Sequence, residues 1–310
     1  MSDAHTNRRS RHTGGSAGSR RIGVQRICRA LVVAASLAAV TGLRADKGPS
    51  QASAERAGLA LERPTFSDAQ SHFYNARYEA AAALTLALRS PEKDDLANDE
   101  LRTSALLFQL KVLLERPADK DADKGEALKA CATCADLMAA FFADIRRGQT
   151  LARAMLRANP GDEAALFFLG KLDLNYVWLQ LGPLGRKTGW DEYWEARRSL
   201  DAVLKAHPQH VRALVARAWI DYIVDTKMPW GTRWLLGGGS RKRALIVVRD
   251  AAHLESEFFS HAEAEFALWH MRVRERDMTQ ATEVARRLAH DFPDNREVAG
   301  FLEARKASAR

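Results

Sequence analysis

Cysteine, proline and alternating apolar–polar stretches are scarce in this chain, and each scarcity excludes a class of fold. Three Cys among 310 residues exclude a scaffold built on many disulfides. Nine Pro and nineteen Gly, mostly clustered, leave long stretches free to form helices. No segment alternates apolar and polar residues with β-branched side chains, so no β-sheet is predicted. The rest of the composition, 46% hydrophobic and 28% charged, is that of a globular protein.

Excess charge is also missing from most of the chain, although the net charge is +8. The first 45 residues hold eight of the 47 basic residues and one of the 39 acidic ones, so the remainder has 39 basic and 38 acidic residues. A nucleic-acid-binding domain usually carries its basic excess on the folded part. The charge therefore does not point to a nucleic-acid partner.

Residues 1–54 have the pattern of a targeting leader followed by a linker. Arginines precede an uncharged apolar run at 30–43, which is bounded by Arg29 and Arg44. This run is shorter than the roughly 20 residues that cross a bilayer, and it fits the apolar core of a secretory signal. Arg20 and Arg21 leave the twin-arginine route open beside the general one. We expect export to the periplasm or another exported location, with membrane contact only through this segment if it stays uncleaved.

The chain from residue 66 to 308 has helical periodicity throughout. Apolar residues recur at spacings of three and four, as in Leu166, Leu169, Leu172 and Tyr176. Helix breakers fall at intervals, including Ser90-Pro91, 116–123 and 228–240, and Asp162 and Asn295 are natural N-caps. The pattern predicts an all-α fold of ten or eleven helices.

Two consecutive segments of this region repeat one design. Leu174–Val177 matches Ile220–Ile223 at an offset of 46 residues, with Lys171 matching Arg217. Further on, Pro183-x-Gly185-x-Lys187 matches Pro229-x-Gly231-x-Arg233. Each copy is a helix, a long Gly-containing loop and a second helix.

These units resemble the tetratricopeptide repeat (TPR), a helix–turn–helix of 34 residues. Leu166-x-x-Leu169-Gly170 carries the pattern of the first helix, and the second-helix pattern follows at Ala196, Leu200, Val203 and Pro208. The last unit has Leu268, Ala281, Ala285, Leu288 and Pro293, without an insert. The resemblance implies a right-handed α-solenoid of TPR-like hairpins over residues 66–308, whose concave side binds a protein or peptide.

The resemblance and the two matched loops together indicate a binding surface. In TPR proteins the first helix of each pair lines the groove, which points to Phe167, Lys171 and Asn175, then Trp219 and Tyr222, then Phe266, His270 and Arg274. Stacked copies would bring their loops side by side, and Trp with basic residues suits an amphipathic ligand or a protein hot spot. The candidate ligand- or partner-binding residues are Phe167, Lys171, Asn175, Tyr176, Lys187, Trp190, Arg217, Trp219, Asp221, Tyr222, Trp230, Arg233 and Trp234. An alternative interpretation is that the Trp residues fill space made by the loops, while the charged residues bridge neighbouring units.

Other motifs fit structural roles better than catalytic ones. Cys131-x-x-Cys134 lies in a run that predicts a helix, where small buried side chains are favoured and a local disulfide is the alternative. Scattered histidines, among them His210 and His270, lack metal-ligand spacing and are predicted on the surface or at caps. The glycines before Ser240 predict a flexible loop and a helix cap, with anion binding as the alternative. Helix carboxylates such as Glu263 show no pairing that would suggest a site.

The sequence thus predicts an exported, non-catalytic TPR-like scaffold of the cell envelope that binds a protein or peptide. We predict no cofactor, no metal and no catalytic residues. The chain also resembles the periplasmic helical-repeat T-component of tripartite (TRAP-type) solute transporters. That resemblance implies an alternative function, the binding of a small or lipid-like ligand.

Overall fold

The computed structural model describes residues 63–89, 95–114 and 124–308. Over this part of the chain the protein is entirely helical and contains no β-strand, which confirms the all-α prediction. The leader at 1–54 and the breakers at 90–91 and 116–123 lie outside the described residues. Of the helices described, none is long and apolar enough to cross a membrane.

Thirteen α-helices and one 3-10 helix make up the described fold. The α-helices are α1 (Phe66–Tyr74), α2 (Tyr78–Ala87), α3 (Leu96–Leu114), α4 (Lys124–Ala130), α5 (Cys134–Ala158), α6 (Glu163–Leu181), α7 (Trp190–Ala206), α8 (Val211–Lys227), α9 (Trp230–Arg233), α10 (Arg241–Ala251), α11 (Phe258–Arg274), α12 (Met278–Asp291) and α13 (Arg296–Ser308). The two beyond the expected number are α4 and α9, which are seven and four residues long and too short for a periodic pattern.

Side-chain caps set the starts of several helices. The Asp162 carboxylate accepts the Ala165 amide at 2.8 Å before α6, and the Asn295 side chain accepts the Val298 amide at 3.0 Å before α13. Ser240 Oγ likewise accepts the Arg243 amide at 3.3 Å, so the glycine-rich loop ends in the predicted helix cap. His210 caps α8 through Nδ1, which accepts the Ala213 amide at 3.2 Å.

Successive long helices pack as antiparallel neighbours. Helix α6 packs against α7, α8 against α10, and α11 against α12. Gly170 permits a close approach of α6 to α7, because a Cβ there would lie only 2.9 Å from Leu200 Cγ. Buried residues of α6, α7 and α8 form one apolar cluster, so α6 and α8 share a core. The predicted core residues of the last unit, Leu268, Ala281, Ala285 and Leu288, are all buried.

The first and last described helices meet, which joins the two ends of the helical array. The Tyr74 ring stacks with Phe266 at a centroid distance of 5.5 Å and lies 5.4 Å from Phe292. Asn295 Nδ2 donates to the Tyr74 carbonyl at 2.7 Å, and Tyr78 Oη donates to Glu297 at 3.2 Å. Residues far apart in sequence therefore enclose a common interior.

The helix predicted to run through the two cysteines is interrupted there. Helix α4 ends at Ala130 and α5 begins at Cys134, and the two sulfurs are bonded at 2.04 Å. Cys134 is fully buried, whereas Cys131 is partly exposed. The expectation of two small buried side chains on one continuous helix is therefore wrong, because the pair bridges the turn between two helices.

Candidate functional site

A cavity of about 1180 Å³ lies inside the helical array. Its walls come from α1, α3, α6, α8 and α11, with Asn295 and Glu297 closing one side. The two Gly-containing loops predicted from the repeat also border it, through residues 182–187 and 228–236. The cavity therefore draws on helices from the whole described chain.

Four charged side chains from four helices form a cluster in the cavity wall, here called the inner charge cluster: Glu100 of α3, Lys171 of α6, Arg212 of α8 and Glu263 of α11. Arg212 donates to Glu263 at 2.6 Å and to Glu100 at 2.9 Å. Lys171 Nζ donates to Glu263 at 2.5 Å and lies 3.6 Å from Glu100. Two cations and two carboxylates thus balance one another.

Pairing keeps Glu263 and Arg212 of the inner charge cluster ionised despite their burial. Burial alone would raise the pKa of Glu263, but Lys171 and Arg212 outweigh it and lower that pKa to about 2. Burial opposes the charge of Arg212 as well, and the two carboxylates raise its pKa above the ordinary value. The cluster therefore links four helices through ion pairs, and Glu263 and Arg212 both stay charged near neutral pH.

Aromatic side chains are numerous in the cavity wall. Ten of them line the cavity: Phe66, Phe73, Tyr74, Tyr78, Phe108, Trp178, Trp190, Trp194, Trp219 and Phe266. Aliphatic side chains such as Leu107, Leu174 and Val215 line the cavity as well. Flat rings offer large apolar contact area with little conformational freedom to lose, which suits a hydrophobic ligand.

The lining also carries five cations that have no ion pair with another described residue: Lys111, Arg186, Lys187, Lys227 and Arg274. Lys111 Nζ lies 5.3 Å from the centre of the Phe108 ring, and the Arg274 guanidinium lies 5.8 Å from the centre of the Trp219 ring. Among the described residues, the only acids in the lining are Glu100, Glu263 and Glu297. Cations therefore outnumber carboxylates around the cavity.

His270 also lies in the cavity wall. The sequence had predicted it on the surface or at a helix cap. Burial lowers the pKa of His270 to about 3, and the nearby charges of Lys111 and Arg274 act in the same direction. The imidazole is consequently neutral at physiological pH. It adds a polar but uncharged group between two cations.

The structure brings together a part of the candidate binding residues. Five of the thirteen line the cavity, namely Lys171, Asn175, Lys187, Trp190 and Trp219. Phe266, His270 and Arg274, expected on the first helix of the last unit, line it as well. Asn175 Nδ2 donates to the hydroxyls of Thr103 and Ser104 at 3.0 Å each, which links α6 to α3.

The matched tyrosines and Phe167 lie outside the cavity. Tyr176 packs against Phe142 at a centroid distance of 6.0 Å, and Tyr222 Oη donates to Glu275 at 2.9 Å. Phe167 is buried under the Arg212 guanidinium, which lies 4.9 Å from its ring centre. These three side chains connect helices to one another.

The remaining candidates face other directions. Arg217 donates to Asp201 at 2.7 Å, which links α8 to α7. Arg217 also pairs with Asp221 of its own helix at 2.6 Å. Arg233 donates to Asp225 at 2.5 Å. Trp230 and Trp234 are absent from the lining and stand in solvent. The alternative interpretation, in which charged residues bridge neighbouring units, describes Arg217 and Asp221.

Sequence reasoning missed Glu100 and Arg212, and it treated Glu263 as an unpaired helix carboxylate. Glu263 in fact contacts both cations of the inner charge cluster. Its partners Lys171 and Arg212 lie 92 and 51 residues away in sequence, so no local spacing pattern could have revealed them. Within the described residues, no group of three or more His, Cys, Asp or Glu could hold a metal ion.

Comparison with known proteins adds no identity to this description. No protein-family model matches the chain, and no curated protein has a significant sequence match.

Proposed function

We propose that this chain is a binding protein without catalytic activity, and that its cavity takes an anionic amphipathic small molecule. The observation that carries the proposal is the cavity itself, about 1180 Å³ in volume with aromatic walls and an excess of cations. Ligand pockets for small molecules are typically about 300–1,000 Å³ with mostly apolar walls and a few polar groups. A long aliphatic or multi-ring carboxylate would match this volume and composition.

The arrangement of charge supports an anionic head group. Lys171 and Arg212 are engaged by the two inner carboxylates, so they have little charge to offer a ligand. Lys111 and Arg274 instead lie over aromatic rings and have no carboxylate partner among the described residues. A ligand carboxylate or phosphate would gain charge-assisted hydrogen bonds from them. The apolar body would then pack on the rings.

The contact between the two ends of the helical array favours a compact ligand over a long peptide. An extended peptide needs a groove that is open at both ends, whereas Tyr74, Phe292 and Asn295 connect α1 to the last two helices. The peptide-binding function that the TPR resemblance implies remains the second candidate. It is favoured by the exposed cations Arg186 and Lys187, which an acidic peptide end would contact at the rim.

The absence of catalysis is part of the proposal. Two carboxylates of the lining, Glu100 and Glu263, are held by Lys171 and Arg212, and the pKa of Glu263 is about 2. His270, with its pKa lowered to about 3, is uncharged at neutral pH and a weak base. A general acid or base works best with a pKa near the working pH, so neither group suits that role.

We propose further that the helix pairs α6/α7, α8/α10 and α11/α12 are TPR-like hairpins of a right-handed solenoid, as in the T-component of TRAP-type transporters. The close packing of α6 on α7 at Gly170, where the repeat pattern has a small residue, supports this assignment. A location in the cell envelope rests on the leader sequence alone.

A titration tests the proposed function. Dodecanoate is added to the purified full chain in a calorimeter, with dodecyltrimethylammonium as a cationic probe of equal tail length. We expect saturable binding of the anion and at least tenfold weaker binding of the cation. The double variant Lys111→Gln/Arg274→Gln should lose at least tenfold in affinity for the anion, since each charged hydrogen bond contributes about 1.5–3 kcal/mol.

The matched control is Arg286→Gln, which removes an exposed cation of α12 outside the cavity lining. Its affinity should equal that of the wild type. Equal affinity for both probes, or an unchanged affinity in the double variant, would reject the anionic ligand. Binding of an acidic peptide without binding of either probe would support the second candidate.

A further inference from the structure

Three apolar side chains stand together in solvent at the edge of the second loop, here called the outer tryptophan patch: Trp230, Trp234 and Leu235. Their exposed fractions are 85%, 72% and 55%. Trp230 is the first residue of α9, and Trp234 and Leu235 follow in the 3-10 helix Trp234–Leu236, so the three lie within six consecutive residues. Apolar side chains this exposed are unusual on a soluble surface when they are contiguous, and they mark an interaction site.

The segment that carries the patch is fixed to the helical array. Arg233 donates to Asp225 at 2.5 Å and to the Met228 carbonyl at 3.1 Å. Tyr193 Oη donates to the Leu236 carbonyl at 2.7 Å, and Arg197 donates to the carbonyls of Leu236 and Gly237 at 3.0 Å each. The segment that carries the two tryptophans is therefore held to the neighbouring helices by hydrogen bonds at Arg233, Leu236 and Gly237.

The patch borders the cavity. Pro229, Thr232 and Leu236 of the same segment line the cavity, and Leu235 belongs both to the lining and to the patch. Trp230 and Trp234 are not in the lining. One side of the segment thus forms cavity wall, and the other side presents two indole rings to solvent.

Uncompensated cations flank the patch in sequence. Lys227 precedes it, and Lys242 and Arg243 follow it in the first turn of α10; all three are exposed and have no ion pair with another described residue. The acids of this region are occupied, since Asp225 pairs with Arg233 and Glu275 lies 3.5 Å from Arg241. Residues 227–243, which include the patch, therefore combine exposed indoles with net positive charge.

We propose that the outer tryptophan patch docks on the surface of an anionic phospholipid bilayer, beside the mouth of the cavity. Tryptophan favours the membrane–water interface, and basic residues near an anionic surface each strengthen binding roughly fivefold. Two indoles and one leucine expose on the order of 400 Å². That area is about half of the roughly 800 Å² that each partner buries in a stable protein–protein interface, whereas partial insertion into a bilayer needs no matching surface.

The test is quenching of tryptophan fluorescence by lipids with brominated acyl chains, using vesicles of phosphatidylglycerol and phosphatidylcholine. The full chain is used throughout, so any contribution of residues 1–54 is the same in every sample. We expect the brominated vesicles to quench the wild type, and the double variant Trp230→Phe/Trp234→Phe to lose most of that quenching. Leu86→Ser, which changes an exposed leucine of α2 remote in sequence from the patch, is the matched control and should be quenched like the wild type.

A charge variant tests the second half of the proposal. Lys242→Gln/Arg243→Gln should bind the anionic vesicles roughly thirtyfold more weakly, which is about fivefold for each charge removed. Lys205→Gln/Arg286→Gln removes two exposed cations from α7 and α12 and should leave the binding unchanged. Vesicles of phosphatidylcholine alone should quench both double variants and the wild type weakly.

Equal quenching of the wild type and the tryptophan variant would overturn the proposal, because lipid would then not reach the patch. Unchanged vesicle binding after removal of Lys242 and Arg243 would also overturn it. A third outcome would assign the patch to a second copy of the chain instead. In that case sedimentation velocity shows a dimeric wild type and a monomeric tryptophan variant, and brominated lipid quenches neither. None of these results depends on what the cavity binds.

Discussion

Replacing Arg212 by methionine tests the reasoning about the inner charge cluster most directly. The guanidinium donates to Glu263 at 2.6 Å and to Glu100 at 2.9 Å. In the variant, Lys171 is the only cation of the cluster left for two buried carboxylates. Removing one partner of a buried ion pair costs about 3–5 kcal/mol, which is a large part of the roughly 5–15 kcal/mol that stabilises a typical protein. We therefore expect the free energy of unfolding to fall by about 3–5 kcal/mol at neutral pH.

The loss should depend on pH in a defined direction. The folded-state pKa of Glu263 is about 2, below its ordinary value of 4.5, so its contribution to stability is present above that ordinary value and is lost as the pH falls toward 2. Without Arg212 that pKa is lowered less, so acid removes less stability from the variant. The difference between the two proteins should therefore be largest near neutral pH and shrink toward about pH 3.

Urea unfolding followed by circular dichroism measures both quantities at a series of pH values. Arg249→Met is the matched control, because Arg249 pairs with Asp250 on the exposed surface of α10 and such pairs contribute about 0–1 kcal/mol. A loss below about 1 kcal/mol for Arg212→Met at neutral pH would contradict the argument that the cluster is buried and coupled. A loss of the same size at neutral pH and at about pH 3 would contradict the assignment of charge to Glu263.

Two further variants probe the packing of α6. Burial, together with the charge of Glu195, raises the pKa of Asp173 to about 9 from its ordinary 3.8, so the free energy of unfolding should fall as the pH rises between these values. Asp173→Asn should reduce this fall when urea unfolding is measured at a series of pH values. The same pH dependence in the variant would contradict the prediction. Gly170→Ala should destabilise the protein by about 1–3 kcal/mol in thermal melts, because its Cβ would meet Leu200, whereas Gly300→Ala, with nothing within 4 Å, should not destabilise it.

Local patterns were sufficient to predict the helical elements of this chain. Spacing of three and four between apolar residues predicted the helices, and the capping side chains at Asp162 and Asn295 predicted where α6 and α13 begin. These signals act over a few residues and need no knowledge of partners. They failed at Cys131–Cys134, where small helix-forming residues continue across a turn that the structure contains.

The cavity could be predicted only in part, because its composition depends on contacts between distant segments. Lys171 and Trp219 are both in its lining, as the repeat pattern indicated. Glu100 and Arg212 meet across 112 residues, and Tyr74 and Asn295 meet across 221. No periodicity encodes such pairs, and the contact between the two ends of the array follows from how all the helices stack together.

Lys171 and Arg217 occupy matching positions in the two repeated segments but make different contacts. The residue four positions later explains the difference. Arg217 has Asp221 four residues later, so it finds a carboxylate on its own helix at 2.6 Å. At the matching positions Lys171 is followed by Asn175, which cannot neutralise a cation. Lys171 instead reaches Glu263 of α11, and the Asn175 amide donates to Thr103 of α3, a bond that a carboxylate could not make. With Asp at this position, Arg217 pairs on its own helix and with Asp201 of α7, whereas with Asn, Lys171 pairs with Glu263 of α11 in the cavity wall.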